Sequence, residues 1–137
     1  MNNKGFTLIE LLATIVLLAV IATISFVSIT TAINKGKVNS CKEIQDSIKS
    51  AMTEYVSANR YKSYFTTTGY TASPRKKTVT AEDLINGHYL SEITNPFDNT
   101  LVTIPGNISV VAYLNDDNTV KSISISSSTY GWIVNCN

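Results

Sequence analysis

Residues 6–33 read FTLIELLATIVLLAVIATISFVSITTAI, an apolar stretch whose one charge is Glu10. Neither glycine nor proline occurs from Phe6 to Asn34, so nothing in the composition breaks a helix there. A run of about 20 apolar residues is long enough to cross a bilayer as a helix. A polar break follows at Asn34-Lys35-Gly36-Lys37, where Gly36 offers a bend. Beyond it Ile44, Ile48, Ala51/Met52 and Tyr55/Val56 recur at helical spacing. Lys42, Glu43, Asp46, Lys49 and Glu54 fall largely off that stripe. The pattern predicts a helix that resumes and runs to about Asn59. Taken from Phe6 without interruption it would be about 80 Å long. Its first half is apolar all round; its second half is amphipathic and requires a cover.

The C-terminal half offers one. Ile108-Ser-Val-Val-Ala-Tyr-Leu114 has the composition of a strand. Asn115-Asp116-Asp117-Asn118 is a turn cluster, and Thr119 to Ser126 follows with Ile123 and Ile125 alternating against serines. Tyr130-Gly-Trp-Ile-Val134 reads as a third strand. A short helix is expected before the sheet, with Thr80 as N-cap, Asp83 three residues on and Gly87 as the stop. The expected fold class is α+β: a long N-terminal helix packed on a C-terminal antiparallel sheet.

Composition sharpens this picture in one respect. The chain has 137 residues, of which 15% are charged, against roughly 25% in ordinary soluble domains. Its hydrophobic content, 44%, is ordinary, so the apolar residues are unusually placed and not unusually abundant. A net charge of +1 gives the chain as a whole no bias toward nucleic acid or acidic partners.

Three readings compete for the apolar segment. A secretory signal peptide has an apolar core of about 7–15 residues followed by a small-x-small cleavage site. This run is longer, and no such site clearly follows it. A plain single-pass anchor accounts for the length. It does not account for Glu10, because an ionised carboxylate costs about 2.5–3.5 kcal/mol at the centre of a membrane helix, less near its end. The third reading is a segment cleaved before the apolar run, in which Glu10 has a task.

The string Lys4-Gly5-Phe6-Thr7-Leu8-Ile9-Glu10 carries that third reading. It resembles the class III signal of type IV prepilins and pseudopilins. The resemblance covers about the first 30 residues. It implies that a prepilin peptidase cuts between Gly5 and Phe6 and methylates the new amine on Phe6. It also implies that Glu10 is the assembly residue. The implied divisions are a leader at 1–5, a transmembrane and assembly helix at 6–33, and an extracellular pilin head at 34–137. The implied partners are identical or related subunits, the prepilin peptidase, the assembly machinery and, for the precursor, the membrane; no cofactor is implied. The chain lacks the helix-kinking proline that many family members carry around Val27. Lysines flank the span on both sides, so the placement of the N-terminus in the cytoplasm follows from the resemblance and not from charge asymmetry.

Chemistry agrees with the carry-over. Cleavage would leave a cation on Phe6, one helical turn from the Glu10 carboxylate. In a fibre the same carboxylate could meet a neighbour's amine. At about 4 Å and an effective dielectric of 20 such charges attract by roughly 4 kcal/mol.

Outside that segment the candidates are weaker. Cys41 and Cys136 form a disulfide if the head faces an oxidising space; the alternative is two unpaired small hydrophobes. Arg60, Lys62, Arg75, Lys76 and Lys77 interleave with Tyr61, Tyr64, Phe65 and Tyr70 without an acid between them. Such a span could bind single-stranded nucleic acid, but a solvated connector whose aromatics pack on the sheet is the favoured reading. Asp98 with its asparagines is thin for calcium, and Asp116 and Asp117 read as turn residues. His88 reads as a surface or helix-end residue, and a zinc site lacks ligands. No nucleophile or phosphate-loop motif occurs, so no enzyme is expected. The expected function is a structural subunit of a surface fibre. The rivals are a minor pilin or pseudopilin of a secretion or DNA-uptake machine, and a membrane-tethered binding domain that never polymerises.

Overall fold

The computed structural model describes residue 5 and residues 7–136, with side chains described for all of these but 25–28. By internal contacts the chain divides into two compact units, the first ending at Gly36 and the second beginning at Lys37. The helix α1, Leu8–Asn59, runs through both, and Gly36 does not interrupt it.

Within the second unit, α1 presents the predicted stripe to the core. Cys41, Ile48, Ala51, Met52, Tyr55 and Val56 are buried, and Ile44 packs against them. The helix ends where Asn59, itself buried, turns its side-chain amide onto the Tyr55 carbonyl at 2.8 Å and the Tyr89 hydroxyl at 3.1 Å. The amide thereby ties the last turn of α1 to the segment that follows α3.

The cover is a four-stranded antiparallel sheet in the order β1-β2-β3-β4. Its strands are β1 (Tyr70–Ala72), β2 (Arg75–Thr80), β3 (Ile108–Leu114) and β4 (Val120–Ser127). β3 buries Ile108, Val110, Ala112 and Leu114 and turns Ser109, Val111 and Tyr113 to the other face. The register puts Val79 and Ile125 on either side of Val110, and Lys77 and Ile123 on either side of Ala112. The core-facing row is therefore continuous from β2 to β4.

Among the described residues the second unit also holds three short α-helices, α2 (Ser63–Thr67), α3 (Ala81–Asn86) and α4 (Gly131–Asn135), and a 3-10 turn at Pro105–Asn107. α3 begins as the sequence predicts. The Thr80 hydroxyl accepts the Asp83 N–H at 3.1 Å, and Asp83 accepts the Thr80 N–H at 2.9 Å, a complete capping box.

Two expectations need correction. Residues 130–134 are not a third strand; they form most of α4. Strand propensity loses there because the carbonyls of Ile133 and Val134 are taken by the side-chain amide of Gln45 on α1, at 2.7 and 3.1 Å. The Cys41–Cys136 disulfide holds the same end of α4 against α1, with Cα atoms 5.5 Å apart. Nor is the span from Arg60 to Lys77 a connector: it contains α2, β1 and the first half of β2. β2 escaped detection because a lysine, Lys77, occupies one of its core-facing positions.

Candidate processing and assembly site

At the start of α1, Thr7 is the N-cap and Glu10 the third helical residue. The Glu10 N–H reaches the Thr7 hydroxyl at 3.3 Å. In return the Glu10 carboxylate accepts from the Thr7 N–H at 3.4 Å and from its hydroxyl at 3.3 Å. The arrangement is a reciprocal capping box. Within a single subunit it gives the carboxylate two donors and places it at the positive end of the helix. The string Thr7-Leu-Ile-Glu10 has the T-x-x-E spacing of such a box, a signal the sequence reading passed over.

Gly5 is exposed, and a side chain added there would meet nothing within 4 Å. The other residues of the expected cleavage site, Lys4 and Phe6, lie outside the described residues.

From Leu8 onward the described large apolar side chains of the first unit are exposed. Leu8 is 85% exposed, and Leu12, Ile15, Ile24 and Ile33 remain more than half exposed. The helix is long and apolar enough to cross a membrane, with a window of mean hydropathy 2.6. Its hydroxyls do not disturb that character: Thr14 donates to the Leu11 carbonyl at 2.7 Å and Thr23 to that of Val20 at 2.8 Å. Both of these hydroxyls find their partner inside the helix, as a hydrocarbon surrounding demands.

The head holds the remaining candidates. The basic and aromatic residues do not make one surface. Lys77 is fully buried, which removes it from any binding face. Its ammonium donates to the carbonyls of Phe65 at 3.1 Å, Tyr64 at 3.5 Å and Thr68. It also lies 4.9 Å from the Tyr64 ring centroid and 5.1 Å from that of Phe65. Burial pulls its pKa below the usual lysine value, opposed by Asp83. Lys77 thus pins the C-terminal end of α2 to the sheet. Lys76 points to the opposite face, next to Tyr113 in the register. Arg75 is tied to the β3–β4 turn, donating to the Asp116 carbonyl at 3.0 Å and to the Asn118 side chain at 3.1 Å. Arg60 lies over the exposed Tyr61 ring, 4.7 Å from its centroid, and Lys62 is exposed next to it in the chain.

The acidic candidates are turn residues. The Asp98 carboxylate accepts the Thr100 hydroxyl at 2.6 Å and N–H at 2.9 Å, and Asp117 does the same with Thr119 at 2.6 and 3.0 Å. Those hydroxyl and backbone donors hold both carboxyls below the ordinary range. His88 is exposed just past α3, with φ 62°. Among the described residues no group of three or more His, Cys, Asp or Glu could hold a metal ion.

Comparison with known proteins bears on the N-terminus. Residues 1–26 match the family described as the prokaryotic N-terminal methylation motif, the class III signal of type IV prepilins. No curated protein and no solved structure matches the chain. The motif and the apolar helix behind it fit the membrane-anchored precursor of a type IV pilin or pseudopilin.

Proposed function

We propose that this chain is a structural subunit of a type IV pilus, made as a membrane-held precursor and polymerised through its N-terminal helix into a surface fibre. The observation that carries the reading is the methylation motif at residues 1–26, which takes in the start of a long apolar helix beginning at Leu8. In this reading the leader 1–5 is removed by cleavage after Gly5, and the new amine on Phe6 is methylated. Residues 6–33 are stored in the cytoplasmic membrane with the N-terminus inside, and residues 34–137 form the extracellular head. Assembly moves the apolar helix from lipid to the fibre core, where neighbouring helices cover the side chains that this chain leaves bare.

Glu10 sets the axial register. A carboxylate in lipid is costly, and the Thr7 box offsets that cost only with neutral donors. The methylated amine of a neighbour is a cation, and a charge-assisted contact is roughly twice as strong as a neutral one. Transfer of Glu10 from its own cap to that amine rewards one stagger between subunits and penalises the others.

The processing step is tested by the mature N-terminus. Intact mass of chain sheared from cells should show loss of residues 1–5 and one added methyl group on Phe6. A fibre built from chains that retain Met1 would overturn the reading, and a processed chain that never leaves the membrane would favour a tethered domain. The same motif also precedes minor pilins and pseudopilins. The ratio of this chain to total fibre protein separates those roles from a major subunit.

A further inference from the structure

Two exposed features of the head lack a role in the fold. The first follows the end of α1. Tyr61 is 83% exposed and Tyr64 57%, with Lys62 exposed between them. These rings do not pack on the sheet, unlike Phe65 and Tyr70, which belong to or flank the core. Both rings are nonetheless held. The Arg60 guanidinium lies 4.7 Å from the Tyr61 centroid, and the buried Lys77 ammonium stands behind Tyr64. Held rings can make contacts with little further loss of side-chain freedom. Isolated exposed apolar residues need no explanation, but two fixed tyrosines beside a cation form a patch.

The second feature is an apolar groove of about 340 Å³, lined by Ile85, Glu92, Leu101, Val102 and Pro105 among others. Leu101 at its wall is 49% exposed, and Ile104 beside it 54%. Glu92 is exposed at the groove and makes no ion pair among the described residues.

We propose that the tyrosine patch of one copy docks in this groove of a second copy, with Lys62 facing Glu92. The inference rests on the pilin reading and specifies a contact between heads within the fibre. Two complementarities select this occupant: aromatic rings for an apolar groove, and a free cation for a free carboxylate. The two features sit at different heights. Tyr61 follows the end of α1 at Asn59, whereas Glu92 and Ile93, in the groove wall, border a hollow lined by α1 residues from Ile44 to Glu54, all short of that end. A patch on one copy that meets a different patch on the next is a heterologous contact. Repeated at an axial offset, such a contact generates an open filament and not a closed ring.

A polyanion is the competing occupant of the tyrosine patch, and the local charges disfavour it. Arg75 is engaged by the β3–β4 turn, Lys77 is buried, and Asp117 lies within electrostatic reach of Arg60. Lys76 lies on the opposite face of the sheet, which leaves Lys62 as the unpaired cation beside these tyrosines among the described residues, too few for phosphate-backbone binding.

The test uses the full chain in its own cells. Lys62→Glu and Glu92→Lys should each lower sheared fibre by at least about fivefold, with processing and membrane level unchanged, and the double exchange should restore it. A second measurement does not depend on those charges: Tyr61→Cys combined with Leu101→Cys should give an oxidised ladder of linked subunits in sheared fibre, and neither change alone should do so. Normal fibre from both charge variants, or absence of the ladder from fibre carrying both new thiols, overturns the contact and leaves the pilin reading standing. Tyr61→Cys linking to itself also overturns it, since that contact would be isologous. Failure of the unaltered chain to enter any fibre overturns both together.

Discussion

The two halves of α1 share a backbone and differ in what lies against it. From Leu8 to Gly36 the described apolar side chains face outward uncovered. From Lys37 to Asn59 the same helix buries a single stripe, Cys41 against α4 and Ile48, Met52, Tyr55 and Val56 in the core, and turns Glu43, Asp46, Ser50 and Glu54 to solvent. A polar residue in the second half can rely on water. In the first half each must find its partner inside the helix, as Thr14, Thr23 and the Thr7–Glu10 box do. The contrast matches two media: the first half fits a membrane-anchored segment, and the second buries its own stripe.

The strongest test of the contrast is at Glu10. Glu10→Ala removes a carboxylate from the apolar half, so membrane insertion should be unchanged or better by up to about 3 kcal/mol. Assembly should fail, with cleaved, methylated subunit accumulating in the membrane and fibre falling below detection. Quantifying processed chain in membrane and sheared fractions decides it. Wild-type fibre from Glu10→Ala in a subunit that makes up most of the fibre would remove the register role.

In the second half the disulfide should dominate. Cys41→Ser combined with Cys136→Ser opens a loop spanning a sequence separation of 95 residues. Chain entropy assigns up to about 4.7 kcal/mol to closing a loop of that order. Denaturant unfolding of the detergent-solubilised chain, with and without reductant, should show matching losses for the parent and none for the variant.

A paired substitution then compares the halves directly. Ile48→Ala should destabilise the head by about 3 kcal/mol, through lost burial and a residual cavity. Leu12→Ala, equally apolar, should leave head unfolding within about 0.5 kcal/mol of the parent, because its side chain is more than half exposed. Equal losses would show that the two units are energetically one.

The smallest effect at neutral pH is at Tyr55. Burial first, then the charges of Tyr64, Asp83 and Tyr89, raises its pKa to about 12. The folded chain therefore holds a proton that the unfolded chain releases near pH 10. The resulting stability is intact below pH 10 and is lost as pH rises toward 12. Tyr55→Phe should remove that alkaline loss while changing stability at pH 7 by less than about 1 kcal/mol. Unfolding midpoints at pH 8, 10 and 11.5 measure it.

Much of this molecule was legible from local pattern alone. The apolar run, the amphipathic stripe, the Thr80–Asp83 cap, β3 and the turn at 115–118 depend on residues close in sequence, where propensity and periodicity act directly. The motif around Gly5, Phe6 and Glu10 was legible for the same reason: it is linear. The tertiary structure decided what depends on distant partners. It set Lys77 in the core, because three carbonyls of another element satisfy the ammonium there. It made residues 131–135 a helix, because Gln45 and Cys41, some 90 positions earlier, hold that segment's end on α1. It divided a run of basic residues between a buried site, a turn and two faces, since neighbours along a strand point in opposite directions. Sequence order records which charges are adjacent along the chain; only the folded sheet determines which of them share a surface.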